Sequence, residues 1–266
     1  MNHISDKATL MPGVVLGDNV TIEAGVYIDY QCIIRDNVHI GRDSFIGARC
    51  ILGEYLADFV TRRERGVHPL TIGEGAAIRS ETIIYGDTVI GARFQTGHRV
   101  TIRECTTIGD DVRIGTLSDV QGHCTIDDHA SLHSNVFVAP DAHIGKYAWL
   151  SPCVTLTNDP TPPSEVERGV VLEPFSIVAA GAIVLPGVRV HTDGLVAAGA
   201  IATKDVQPAS IVVGNPARER GSVSQIRNRD TGEPVYPWRY HFDRGMPWRG
   251  LGYAAWREQN DTDLPE

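Results

Sequence analysis

Aliphatic residues recur at every sixth position along most of the chain, with polar or small residues between them. One block runs from Ile4 and Leu10 through Ile46 to Leu52. A second runs from Ile72 through Ile126 to Leu156, broken only at Thr96, and a third from Leu172 to Val196. Four residues after most of these positions stands a small or β-branched partner, such as Cys32, Val38, Thr82, Val112, Cys124 or Val136. A period of six matches neither the 3.6 residues of a helix nor the short two-residue alternation of an isolated hairpin. It predicts an all-β fold, a hexapeptide parallel β-helix in which each unit forms one face and stacked coils bury a continuous core.

Two stretches follow no repeat, residues 53–71 and the proline-rich 157–171. Insertions of this kind become loops on one face of a solenoid, often the binding face. The repeat ends near residue 203. The expected organisation is therefore a β-helix over 1–203 and an irregular or short-helical extension over 204–266. That extension carries "YPWRYHFDRGMPWRGLGYAAW" and has too many aromatics for a simply disordered tail. It is expected to cap the helix end or to pack on a neighbouring subunit.

Hexads such as "IGDDVRIGTLSD" resemble those of the left-handed β-helix acyltransferases, which place three hexads in each coil. The left hand is implied by that resemblance, since ordinary crossovers are right-handed. Some thirty hexads then make about ten coils, each rising roughly 4.8 Å. With eighteen residues per coil, positions eighteen apart form columns. His123, Asp141 and Asp159 fall in one column, with Asn158 beside the last. His98 and His133 occupy adjacent columns on a second face, and His129 falls on a third. The histidines of "QGHCTIDDHASLHSNV" thus point three ways and cannot share a metal within one chain. A lone exposed histidine is usually only solvated, which is the expectation for His129. His123 differs, because carboxylates continue its column. An imidazole with a pKa near 6.5 accepts protons near neutral pH, and a nearby carboxylate orients it.

Composition narrows the field. A net charge of −9 with no basic run argues against a nucleic-acid surface. No apolar run approaches the roughly 18 residues needed to cross a bilayer, and "MNHISDKATLMPGVV" lacks the features of a signal peptide, so a cytoplasmic protein is expected. Five cysteines without paired spacing suggest reduced, packed thiols, Cys32 and Cys50 stacking one coil apart in the core.

The segments "IRSETIIYGDTVIGARFQTGHRVTIRE", "IGTLSDVQG", "LHSNVFVAP" and "VTLTNDPTPPS" resemble the acyltransferases of nucleotide-linked amino-dideoxy sugars, especially the dTDP-3-amino-3,6-dideoxyhexose N-acetyltransferases. The resemblance implies a homotrimer with active sites between subunits, acetyl-CoA as donor and no metal. It implies His123 as base or amine-positioning residue, with Asp141, Asn158 and Asp159 gripping the sugar and its amine. Arg79 and Ser80 would meet the nucleotide, and His98, His133 and Asn135 are further candidates for substrate contact. "VAAGAIVLPGV", "VAAGAIATKDV" and "VVGNPAR" look like the coenzyme A segment. There Ala180, Gly181, Ala198, Gly199 and Gly214 would let pantetheine lie close to the backbone, and Lys204 or Arg218 would meet phosphates. Tight core packing is the alternative reading of those small residues. Relatives often carry a glutamate after "HSNV" where this chain has "APDA", so Asp141 takes the acid's place with a shorter reach. No nucleophile motif is present, which favours direct attack on the thioester. Sugar O-acetylation, a zinc-dependent carbonic-anhydrase-like β-helix and a non-enzymatic scaffold are the competing readings.

Overall fold

In the computed structural model, which describes residues 1–64, 66–260 and 264–265, very short parallel strands stack into three flat faces of a triangular prism. The first face runs from His3–Ile4 to Arg189–Val190 and the third from Val15–Leu16 to Ile201–Ala202, each with ten strands. The second face begins at Thr9–Leu10 and has twelve, because Ser210–Val213 extends it and Arg218–Ser222 closes it with an antiparallel hairpin. The left-handed β-helix is thus longer on one face than the ten coils expected from the repeat.

Registers explain the six-residue period. Thr107 pairs with Thr125 and Ile108 with Ile126, eighteen residues on. In each pair of residues one side chain points out and the next points in. The inward set, including Ile108, Ile126, Ile144, Leu132 and Val138, is almost wholly shielded from water. Each such aliphatic side chain contributes about 1.5–3 kcal/mol by burial. Cys32, Cys50 and Cys124 lie in this core, whereas Cys105 and Cys153 are exposed at corners, so not all the thiols are packed.

Between faces the chain turns through a corner residue with positive φ, commonly not glycine: His123 (52°), His129 (60°), Asn135 (58°) and Asp141 (62°) all occupy this slot. The left-handed conformation is costly for residues with a Cβ. It persists here because hydrogen bonds to the coil beneath recur at each step, as from the His123 N–H to Glu104 O at 3.0 Å.

The first insertion leaves after the strand Ile51–Glu54, forms a short helix over Ala57–Arg62, and rejoins at Leu70–Ile72. The second leaves at Asn158 and returns at Arg168, whose N–H donates to Asn158 O at 2.8 Å.

The extension closes the end of the second face through Ser210–Val213 and Arg218–Ser222, and the rest of it packs back on its own chain. Trp238, Trp248 and Tyr253 pack with Tyr147, Phe175, Ile177 and Leu195, laying the extension along the upper second face of its own chain. Arg239 anchors it. Its guanidinium bonds Asp193, a corner residue of the β-helix, and lies over the Phe175 ring at 4.7 Å. His129 also departs from expectation. Its ring stacks on Tyr147 at 4.8 Å, which stacks in turn on Phe175 at 5.0 Å, and burial lowers its pKa.

Candidate active site

The expected site residues divide between two edges of the prism, on either side of the third face. On the edge where the third face turns into the first, His123 is followed one coil later by Asp141. Both are exposed, and neither side chain has a hydrogen-bond or ion-pair partner among the described residues. Both are therefore open to a ligand.

Asp159 leaves this column. His143 pairs with Val171, twenty-eight residues on, because the second insertion adds ten residues to that coil. The place above Asp141 is taken by Gly169, where a Cβ would stand 1.7 Å from Asp141 O. Asp159 instead organises the insertion. Its carboxylate accepts from Thr161 N and Ser164 N at 2.9 Å and from Ser164 Oγ at 2.6 Å. The Ser164 bonds hold its pKa below the usual value. Asn158 remains at the corner, half-buried, at the root of the loop. Lys204 lies on the same edge beyond the last third-face strand. With Arg218, Asp205 and Glu219 it lines a cavity of about 210 Å³.

On the other edge, where the second face turns into the third, three adjacent columns hold the remaining candidates. Arg79 and His133 share one, Ser80, His98, Ala180, Ala198 and Gly214 the next, and Asn135, Gly181 and Gly199 the third. His133 is half-buried, its ring tilted against Trp149 at 5.1 Å, and burial lowers its pKa. A neutral imidazole able to accept a hydrogen bond follows near neutral pH. His98 and Arg79 are exposed, with backbone N–H groups donating to Thr116 Oγ1 and Thr96 Oγ1.

Tight packing does not account for the small residues. Ala180, Gly181, Ala198 and Gly199 are exposed, and a Cβ built on Gly181 or Gly199 would meet nothing within 4 Å. Their corner slot accepts asparagine at 135 and cysteine at 153, so backbone conformation does not demand glycine either. The result is a smooth open strip along two coils.

Two features escaped sequence reasoning. Arg49 and Arg99 both bond Glu81 on the second edge and hold its carboxyl down to about 2. The eighteen-residue spacing of Glu81 and Arg99 was a readable signal for this ladder. Asp119, on the strand leading to His123, is half-buried with its pKa raised by burial. Gln121 Nε2 donates to its Oδ2 at 2.6 Å, while Oδ1 is buried without a partner. Among the described residues, no group of three or more His, Cys, Asp or Glu side chains converges as a metal site, and no helix is long and apolar enough to cross a membrane.

Comparison with known proteins bears on this geometry. Residues 7–30 and 37–53 match the hexapeptide repeat of succinyl-transferase. The chain is 26% identical over 259 residues to the acyl-[acyl-carrier-protein]–UDP-N-acetylglucosamine O-acyltransferase of Campylobacter concisus (strain 13826), covering 92% of this chain and 85% of that one. It is 25% identical over 214 residues to the bifunctional protein GlmU of Geotalea uraniireducens (strain Rf4), covering 78% of this chain but only 43% of that protein. Among solved structures, PerB from Caulobacter crescentus, crystallised with CoA and GDP-perosamine, is 17% identical, with 83% of this chain and 57% of that chain covered and a TM-score of 0.19. The chain thus carries a stretch of the hexapeptide repeat and is similar over most of its length to acyltransferases of nucleotide-linked sugars.

Proposed function

We propose that the protein transfers an acyl group, acetyl in the simplest case, from a coenzyme A thioester to the amino group of a nucleotide-linked sugar. The acceptor favoured by the motifs is a dTDP-3-amino-3,6-dideoxyhexose. The observation that carries the reading is the pairing of His123 and Asp141 on successive coils, both exposed and uncommitted, in a chain that also bears an open small-residue strip. In this scheme the amine nitrogen attacks the thioester carbonyl carbon. A C–N bond forms, the C–S bond breaks, and the thiolate leaves. The amine's proton passes to His123, while Asp141 and Asn158 position the amine. Holding the reactants together supplies much of the acceleration.

The two halves of the site lie on different edges, so a second copy is needed to join them. The third face between the edges supports this. Seven of its ten outward positions, Val15, Ile33, Ile51, Ile83, Phe137, Ile183 and Ile201, are apolar, and Thr101, Asp119 and Thr155 are the other three, whereas the first face shows mainly threonine and histidine, such as Thr21, His39, Thr107, Thr125 and His143. A homotrimer burying third faces would set one copy's His123 edge against the next copy's His133 edge. In this reading Lys204 and Arg218, which line one cavity with Asp205 and Glu219, supply the cations for the donor phosphates.

Transfer to a sugar hydroxyl is the second reading, favoured by the name and long alignment of the Campylobacter relative. Incubating the protein with acetyl-CoA and matched dTDP-amino sugars and hydroxyl analogues, read by thiol release, tests both. Release with the amino sugars alone is expected. Release with the hydroxyl analogues alone would move the assignment to O-acylation, and release with neither would overturn acyl transfer to these acceptors.

A further inference from the structure

Between the upper second face and the extension lies a cavity of about 440 Å³, within the range of small-molecule sites. One wall is the outward side chains of three successive strands, Trp149, Ile177 and Leu195, and the other is Val235, Trp238 and Phe242 from the extension. None of the ten residues lining it is Asp, Glu, Lys or Arg. A phosphate or a sugar diphosphate would find there no Lys or Arg, only the His241 ring and the Ser151 and Tyr236 hydroxyls as polar side chains in an otherwise apolar lining.

Ser151 and Ala179 also line it, and they continue the column of His133 one and two coils on. The next residues along the chain from Ala179 are Ala180 and Gly181, the exposed strip proposed for the pantetheine arm. The cavity therefore adjoins the line along which a donor thioester would lie. The uncharged apolar part of such a donor, beyond its pantetheine, is its acyl chain.

We propose that this cavity is an acyl-chain subsite, so that the preferred donor carries an apolar acyl group several carbons longer than acetyl. The inference rests on the acyl-transfer reading above. It names the donor class that reading leaves open, and gives the aromatic extension a role in selecting it. Burying each methylene favours binding enough to tighten it roughly four-fold.

The test is a binding series with the full-length protein and acetyl-, butanoyl-, hexanoyl- and octanoyl-CoA, measured by calorimetry and by emission of Trp149 and Trp238. Affinity is expected to rise roughly four-fold per methylene until the cavity is full, with a matching emission change. Val235→Phe, which fills the cavity from the extension side, should flatten the series while acetyl-CoA still binds. Ile177→Ala, which enlarges it, should shift the preferred length upward. Affinity independent of chain length in the wild-type protein would overturn the subsite while leaving acyl transfer intact. Saturable quenching by adenosine, with no dependence on acyl length, would reassign the cavity to a base and overturn it equally. Failure to bind any coenzyme A thioester would remove the acyl-transfer reading and this inference together.

Discussion

Gly169 sits directly above Asp141, so close that a Cβ on it would stand 1.7 Å from Asp141 O. The contact is with backbone, which cannot rotate aside as a side chain can. It also marks where the chain re-enters the β-helix after the second insertion, one coil above Asp141 in the column holding His123. Gly169→Ala should therefore push the loop root and the Asp141 corner apart. The expected cost is about 1–3 kcal/mol, as for overpacking of a well-fitted site, seen as a lower Tm by calorimetry. Turnover should fall by more than the loss of folded protein explains. An unchanged Tm would show that the corner relaxes freely.

The same contact shows where sequence reasoning ran out. Multiples of eighteen correctly align His123 with Asp141, because no insertion intervenes. They fail for Asp159, because the ten added residues re-phase the coil and hand its slot to Gly169. The aliphatic period reveals the core and the corners, since burial demands it at every coil. It is silent on the extension, whose aromatics follow no period and find their partners, Tyr147 and Phe175, through a stacked corner column. His129 reads as a bystander for the same reason: its neighbour Tyr147 is eighteen residues away, and only the column makes the two rings meet.

The extension should depend on a buried ion pair. Asp193 and Arg239 are both buried, and Arg239 is also ringed by Phe175, Tyr240 and Tyr253. Burial raises the Asp193 pKa against the opposing pull of Arg239. Asp193→Ala would take the carboxylate away from a buried guanidinium at a cost of about 3–5 kcal/mol. Limited proteolysis should then cut within residues 226–260 while the β-helix survives. Cleavage no faster than in the wild type would show that aromatic packing alone holds the extension.

The first insertion carries a pH-dependent clasp. His68 Nδ1 lies 2.6 Å from Asp87 Oδ2 and its Nε2 lies 3.0 Å from Asp58 Oδ2. Both carboxylates are satisfied only when both ring nitrogens carry protons. Burial works against the charged ring, but the bonds to Asp58 and Asp87 outweigh it, and the net shift is upward. With the folded pKa raised, the clasp's contribution is complete below the unfolded value near 6.5 and is lost as pH rises through the folded value. Hydrogen exchange over residues 57–68 should therefore accelerate above neutral pH, beyond the intrinsic base catalysis of exchange. Asp87→Asn should bring that acceleration to lower pH. Identical pH profiles for the two proteins would rule out the clasp.

His123 and Asp141 can be separated by what each substitution changes. The His123 ring makes no contact that folding relies on, so His123→Asn should leave the Tm within about 1 °C, as expected for a surface change. Its kcat should fall by roughly 10²-fold or more, the usual contribution of a general base. The pH profile is the sharper readout. A proton-accepting histidine gives an acid limb in kcat/KM that vanishes in the variant, whereas a residue that only positions the amine leaves the limb in place. Asp141→Asn keeps the side chain's size and removes its charge. It should mainly raise KM for the amino sugar, by about 10-fold, the scale of one charge-assisted hydrogen bond, with KM for the thioester unchanged. In kcat/KM for the sugar, a combined variant should lose clearly less than the product of the two single losses, because Asp141 then has only to orient an acceptor whose proton has nowhere to go. Strict additivity of the two losses would place the residues in separate roles on the same edge.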